Sequence, residues 1–193
     1  YLCDPMDSIF RRALPWLLAA GVIASGLQLW LERPMHWGPG VLAADEPQQG
    51  ALENAAPIPA WQDPAALLTP RATFSAKVRV LSHQRYRWDR MSRVVPEDLG
   101  VGWGSMSDSA VLDQIDISQS ARFMSWHTSA EPPVPWPYIS THAANWHIIP
   151  ADKAIARTLG RIRTGDIVVI EGDLVDVDKP GDWYTRTSLT RED

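Results

Sequence analysis

Apolar positions fall into three regimes along the chain. From Ala13 to Leu31 (ALPWLLAAGVIASGLQLWL) 19 residues run without a charge. From Glu32 to Pro70 neither a helical nor a strand period persists, and seven prolines fall in 39 residues. From Arg71 onward short alternating runs are separated by Gly, Pro and Asp turns. These regimes predict a transmembrane helix, a Pro/Ala-rich spacer and a small β-rich domain over residues 71–193.

At 1.5 Å per residue the apolar segment spans about 28 Å, close to the hydrocarbon thickness of a bilayer. Trp16 and Trp30 sit near its ends, where aromatic belts form, and Pro15 lies in the first turn, where a missing N–H costs little. Arg11 and Arg12 precede it, and Glu32 and Arg33 follow. The positive-inside rule then keeps residues 1–12 in the cytoplasm and sends the rest outside, into the periplasm of a bacterial inner-membrane protein. Gly21 and Ser25 form a small-xxx-small pair of the kind that supports helix dimers. Two other readings compete: a signal peptide cleaved after Val41-Leu42-Ala43, and a buried core helix. Tyr1–Pro5 do not look like a start, whereas Met6 opens a usual bacterial N-terminus, so residues 1–5 are set aside.

Within the domain, Thr73–Leu81 alternates as a half-buried strand, and Gln84–Met91 continues it with Tyr86 and Trp88 on one face. Gly100–Gly104 reads as a turn around Trp103. Asp108–Ile115 reads as a short helix capped by Ser107, and Ala121–His127 as a strand. Glu131–Pro137 holds four prolines and reads as a loop. Pro150–Leu159 is the clearest helix, followed by Gly160. Ile167–Ile170, Leu174–Val177 and Trp183–Leu189 read as strands, with a bulge at Gly172. Several short strands with one or two helices predict an α+β domain, its sheet an open barrel.

Charge changes this picture only locally. The net charge is −5, so the whole chain is not a polyanion binder. Yet Arg71–Arg93 holds seven bases and one acid, Asp89, whereas Glu97–Asp152 holds seven acids and one base, Arg122. The single cysteine, Cys3, leaves the domain without a disulfide, a thiolate metal site or a cysteine nucleophile. No residue set implies a cofactor.

Polar chemistry is densest in Ser140–Asp152, which reads as a loop leading into the best helix. His142, Asn145, Trp146, His147 and Asp152 are its binding candidates. His142 and His147 are also the candidate metal ligands, although their i, i+5 spacing aims both at one ion from neither a helix nor a strand. The competing reading has Trp146 entering the core while His142 and Asn145 tie down the loop. The basic-aromatic run Arg85-Tyr86-Arg87-Trp88-Asp89-Arg90 suits anionic lipid or an acidic partner. Nucleic acid is not expected outside the cytoplasm.

Two resemblances follow. The segments GWGSMSD (102–108), STHAANWHIIPAD (140–152), GDIVVIEGDLVDV (165–177) and SLTRED (188–193) resemble a family of uncharacterised proteobacterial proteins with a single-pass membrane anchor. That resemblance implies architecture and bacterial origin, carries no activity, and implies a chain continuing past Asp193. Ser105-Met106 with Lys153 and Gly165-Asp166-Ile167 resembles type I signal peptidases, implying a serine nucleophile, Ser105, and a lysine base, Lys153. The family's Pro-Thr-Leu is replaced by Ser107-Asp108-Ser109, and its Gly-Asp strand follows the lysine here rather than preceding it. No nucleophile, base and orienter stand at persuasive spacing, so the expected function is binding. The expected partner, beyond the bilayer, is another envelope protein or a second copy.

Overall fold

The computed structural model describes residues 14–16, 18–23, 25–26, 33–52 and 55–190. The chain forms two compact units, Tyr1–Arg33 and Pro34–Asp193. In the first, residues 14–16, 18–23, 25 and 26 are helical. Leu14, Trp16, Leu18, Val22 and Ile23 are all exposed. The rest of the expected membrane segment, with the expected cytoplasmic residues 1–12, lies outside the described residues. Among the described residues no helix is long and apolar enough to cross a membrane.

The second unit is an α+β domain dominated by strands, and its main sheet curls into a half-barrel. Its elements are β1 (Gln48–Ala51), β2 (Ile58–Pro59), β3 (Leu67–Arg85), β4 (Glu97–Gly102), a 3-10 turn at Gly104–Ser107, and α1 (Ser109–Leu112). They continue with β5 (Asp116–Ser120), β6 (Phe123–His127), α2 (Trp136–His142), β7 (Ala143–Ile148), α3 (Lys153–Leu159), β8 (Ile167–Lys179) and β9 (Trp183–Thr185). The sheet runs β7-β4-β3-β8-β9, all antiparallel, with β1 and β2 also on β3. β5 and β6 form a separate hairpin.

The 19-residue β3 organises the sheet. One edge pairs with β8 from Leu67 to Arg79; the other meets β2, then β1, then β4. Pro70 cannot donate to a ladder, and the β3–β8 register slips between Pro70 and Ala72. A second slip lies between Val80 and Ser82 against β4.

Three apolar clusters hold the fold. Ala76, Val78, Val80, Leu99, Val101, Trp103 and Leu159 form one, joined by Phe74, Trp146 and Ile162. Leu81, Met106, Ile115, Ile139 and Ala143 form another, closed by Met124 and Trp126 of the hairpin. Ala60, Ala66, Leu68, Val94, Val95, Val177 and Trp183 form the third.

Several expectations are corrected. Residues 34–70 are not a detached spacer: Ala43, Ala60, Ala66 and Leu68 are buried, and β1, β2 and the start of β3 lie there. The Ser107 hydroxyl receives the N–H groups of Leu42 and Ala43, each at 3.0 Å. Stretches of two to four residues are too short to show a period, and alanines fill narrow places without an apolar signal. Gln84–Met91 is strand only to Arg85; the rest is turn, and Trp88 is 96% exposed. Gly100–Gly102 belong to β4, and the α1 cap is Asp108, not Ser107. Ser140–Asp152 is not a loop, since it holds the end of α2 and all of β7. Ile167–Lys179 is continuous, with Gly172 in register opposite Phe74. β5 and α2 carried no clear period in the sequence.

Candidate functional site

Antiparallel pairing of β4 with β7 sets Asp98 opposite His147 and Gly100 opposite Asn145. Asp98 is wholly buried. A carboxylate taken out of water requires partners. Its Oδ1 lies 2.8 Å from His147 Nδ1 and 3.4 Å from Arg122 Nη1, and Asn145 Nδ2 donates to Oδ2 at 3.5 Å. Asn145 Nδ2 also donates to the Arg122 carbonyl at 2.9 Å, and Gln119 donates to Asn145 Oδ1 at 2.5 Å.

Arg122 reaches this carboxylate because of the turn that carries it. Ala121 and Arg122 join β5 to β6 with φ of +48° and +67°. A two-residue hairpin of this hand favours Asn-Gly, so Ala-Arg is strained and needs support. The Arg122 N–H donates to the Tyr86 hydroxyl at 2.9 Å, and its guanidinium lies 4.1 Å from the Tyr86 ring centroid. The same guanidinium donates to Asp89 at 2.9 and 3.1 Å and to the Val95 carbonyl at 3.0 Å. Burial acts to raise the Asp89 carboxyl, but the Arg122 hydrogen bonds and charge outweigh it and hold the group below its ordinary value. Burial pushes the Tyr86 phenol up.

His147 itself is 44% exposed at its side chain, and no described residue bonds its Nε2. A carboxylate at Nδ1 orients the ring and favours a proton there, which leaves Nε2 as an outward acceptor or base. The arrangement is a buried carboxylate holding an accessible imidazole, flanked by an amide. It can bind a polar group or accept a proton.

His142 belongs to a different constellation. Its Nε2 lies 3.0 Å from Glu46 Oε1, and its Nδ1 lies 3.0 Å from the Tyr138 carbonyl. Glu46 Oε2 also accepts Trp103 Nε1–H at 3.0 Å. The His142 ring stacks on Tyr138 at 3.7 Å, and the Tyr138 hydroxyl accepts the Ser105 N–H at 2.9 Å. Both imidazole nitrogens are engaged, so this cluster clamps the segment at Glu46 to the end of β4 and α2.

The five binding candidates therefore separate. Asn145 and His147 meet through Asp98. Trp146, on the opposite face of β7, lies 6.2 Å from Trp103 and edge-on to Phe74 at 5.1 Å. Asp152 caps α3, its Oδ1 accepting the N–H groups of Ala154 and Ile155 at 2.7 and 2.8 Å. As metal ligands His142 and His147 do not converge, each facing its own carboxylate. Among the described residues no group of three or more His, Cys, Asp or Glu is placed to hold a metal. Ser105 and Lys153 share no hydrogen bond, and Lys153 is exposed at the first position of α3.

Asp98, Arg122 and Glu46 were missed. Arg122 had a signal, being the one base among seven acids from Glu97 to Asp152. Asp98 had a weaker one, an acid among the apolar and glycine residues of Asp98-Leu99-Gly100-Val101. Glu46 lies in the proline-rich stretch and had none. Comparison with known protein families, curated proteins and solved structures finds no match for this chain.

Proposed function

We propose that this is an envelope protein anchored in a bacterial inner membrane by Ala13–Leu31. Its β-rich domain works in the periplasm as a binding module, with Asn145 and His147 as the contact residues. The observation that carries the binding reading is the Asp98–His147 pair. A wholly buried carboxylate fixes an exposed imidazole whose Nε2 no described residue uses. The anchor reading is supported by the uncharged run and by the exposure of every described apolar side chain within it. The partner is another envelope protein or a second copy of the chain.

A photo-crosslinking residue at position 123 in cells tests this: Phe123 is 75% exposed and follows Arg122, whose carbonyl accepts the Asn145 amide, so the probe leaves His147 in place. The expected result is one discrete adduct, lost on His147→Ala and absent with the crosslinker at Tyr184, which is 73% exposed on β9. Equal adducts from both positions, or none from 123, overturn the binding reading. Alkaline phosphatase fused after Asp193 is expected to be active; an inactive phosphatase with a fluorescent cytoplasmic reporter at the same place reverses the orientation. A serine–lysine peptidase has no supporting geometry, because Ser105 and Lys153 are not joined. Ser105→Ala leaving every processing phenotype intact removes that reading.

A further inference from the structure

Three exposed cations lie on α3 and in the turn that ends it: Lys153, Arg157 and Arg161. The backbone turn continues through Gly160, whose conformation is right-handed, to Arg161, whose N–H donates to the Thr158 carbonyl at 3.0 Å. Lys153 and Arg157, at i and i+4, share one face of α3, and Arg161 is exposed in the turn that follows, so the three charges form a basic stripe along the helix and its C-terminal turn. All three are exposed, and none of them is in a salt bridge among the described residues. The nearby acids are already committed. Asp152 caps the helix, Asp166 pairs with Arg163, and Glu97 bonds His83 and Arg85. Arg85, paired with Glu97, donates to the Gly160 carbonyl at the same end.

The position of this stripe along the chain gives it a partner. The Met35 N–H donates to the Thr164 carbonyl at 2.8 Å, and Trp37 Nε1–H donates to the Gly165 carbonyl at 2.7 Å. The turn just after Arg161 and Arg163 is thus where the chain joins the folded unit. From Leu31 to Met35 is four residues, which reach about 14 Å when fully extended. Trp37 keeps 43% of its surface exposed beside that turn, as an interfacial tryptophan does.

We infer that the Lys153–Arg157–Arg161 stripe docks the domain on the phosphate-bearing headgroups of the bilayer that holds Ala13–Leu31. The inference rests on the anchor reading. Charge complementarity selects anionic phospholipid, and each cation close to such a surface contributes roughly fivefold in binding, or on the order of a hundredfold for three.

The test uses the full chain carrying Cys3→Ser and Ala154→Cys, with an environment-sensitive fluorophore on position 154, an exposed site between the cations. The protein is reconstituted into vesicles of phosphatidylcholine alone, or of three parts phosphatidylcholine to one part phosphatidylglycerol. The expected result is a blue shift in the phosphatidylglycerol vesicles only. It is abolished at about 1 M NaCl, where the screening length is about 3 Å, and in the Lys153→Gln/Arg157→Gln/Arg161→Gln variant. A label indifferent to phosphatidylglycerol, in a chain that resists alkaline carbonate extraction, overturns docking and leaves the anchor standing. A chain released by carbonate overturns the anchor. Docking is then decided by flotation: salt-sensitive co-flotation with the phosphatidylglycerol vesicles supports it, and no co-flotation overturns it. A shift produced by a single-stranded oligonucleotide and not by phosphatidylglycerol also overturns it.

Discussion

Asp98 Oδ1 sits 2.8 Å from His147 Nδ1 across the β4–β7 ladder, with the carboxylate wholly buried and the imidazole 44% exposed. The two partners therefore carry unequal costs. Asp98→Ala strips the ion from Arg122 and His147 inside the protein and is expected to lower unfolding stability by about 3 kcal/mol. His147→Ala leaves Asp98 with Arg122 and Asn145 and is expected to cost about 1 kcal/mol. Urea denaturation of both variants measures the difference. Equal losses would show that Asp98 is not held by this network.

The fragment 71–193 is expected not to fold cooperatively, whereas 34–193 does. Removing residues 34–70 deletes β1, β2 and the first four residues of β3. It also deletes Ala43, Ala60, Ala66 and Leu68, all buried. Near-ultraviolet circular dichroism with a thermal scan separates the two. A sharp transition in 71–193 would make residues 34–70 a dispensable covering after all.

Gly104→Ala is expected to destabilise more than Gly181→Ala. Both glycines have left-handed backbone, with φ of +54° and +77°. At Gly181 a Cβ meets nothing within 4 Å, whereas at Gly104 it would fall 2.4 Å from the Tyr138 hydroxyl. Gly181→Ala costs about 1 kcal/mol from backbone conformation alone. Gly104→Ala adds overpacking of about 1–3 kcal/mol. Similar melting temperatures for the two variants would contradict the Tyr138 placement.

Stability is expected to fall on the acid side through particular carboxylates. Backbone N–H groups of Gly40 and Ala110 hold Asp108 below its ordinary value, and the Lys179 hydrogen bond does the same for Asp63. A carboxyl lowered by folding contributes above its unfolded value of about 3.9, and the contribution is lost as pH falls through the lowered value. Lys179 is raised by Asp63, then by Asp182. Its contribution holds below the ordinary lysine value and fades as pH climbs through the raised one. Asp108→Ala is expected to flatten the acid limb of a stability–pH curve, and Lys179→Met the alkaline limb. Unchanged limbs would count against these pairs.

Legibility followed element length. The alternating run Thr73–Leu81, the helix near Pro150–Leu159 and the β8 strand were visible because enough residues repeat for a period to emerge. The hairpin strand β5 was not, since Asp116-Ile117-Ser118-Gln119-Ser120 carries one apolar side chain. Trp88 was expected beside Tyr86 on a strand face because the alternation runs past Arg85 in the sequence, but the chain turns there and Asp89 is claimed by Arg122. The site was half legible. Asn145 and His147 were named, while the carboxylate that unites them lies 47 and 49 residues away in sequence, and pairing at that range leaves no local mark.

The double-sided pairing of β3 also orders events in time. Its partners on one edge come from residues 48–59 and 97–102, but its other edge waits for β8, which ends only at Lys179. During synthesis a 19-residue strand therefore emerges with one edge unsatisfied until almost a hundred further residues follow. Pairings at such separations are slow because loop closure precedes their reward, and an open edge meanwhile invites association with other chains. Completion of the sheet thus waits for the C-terminal part of the chain, and the time β3 spends with an open edge bears on yield separately from final stability.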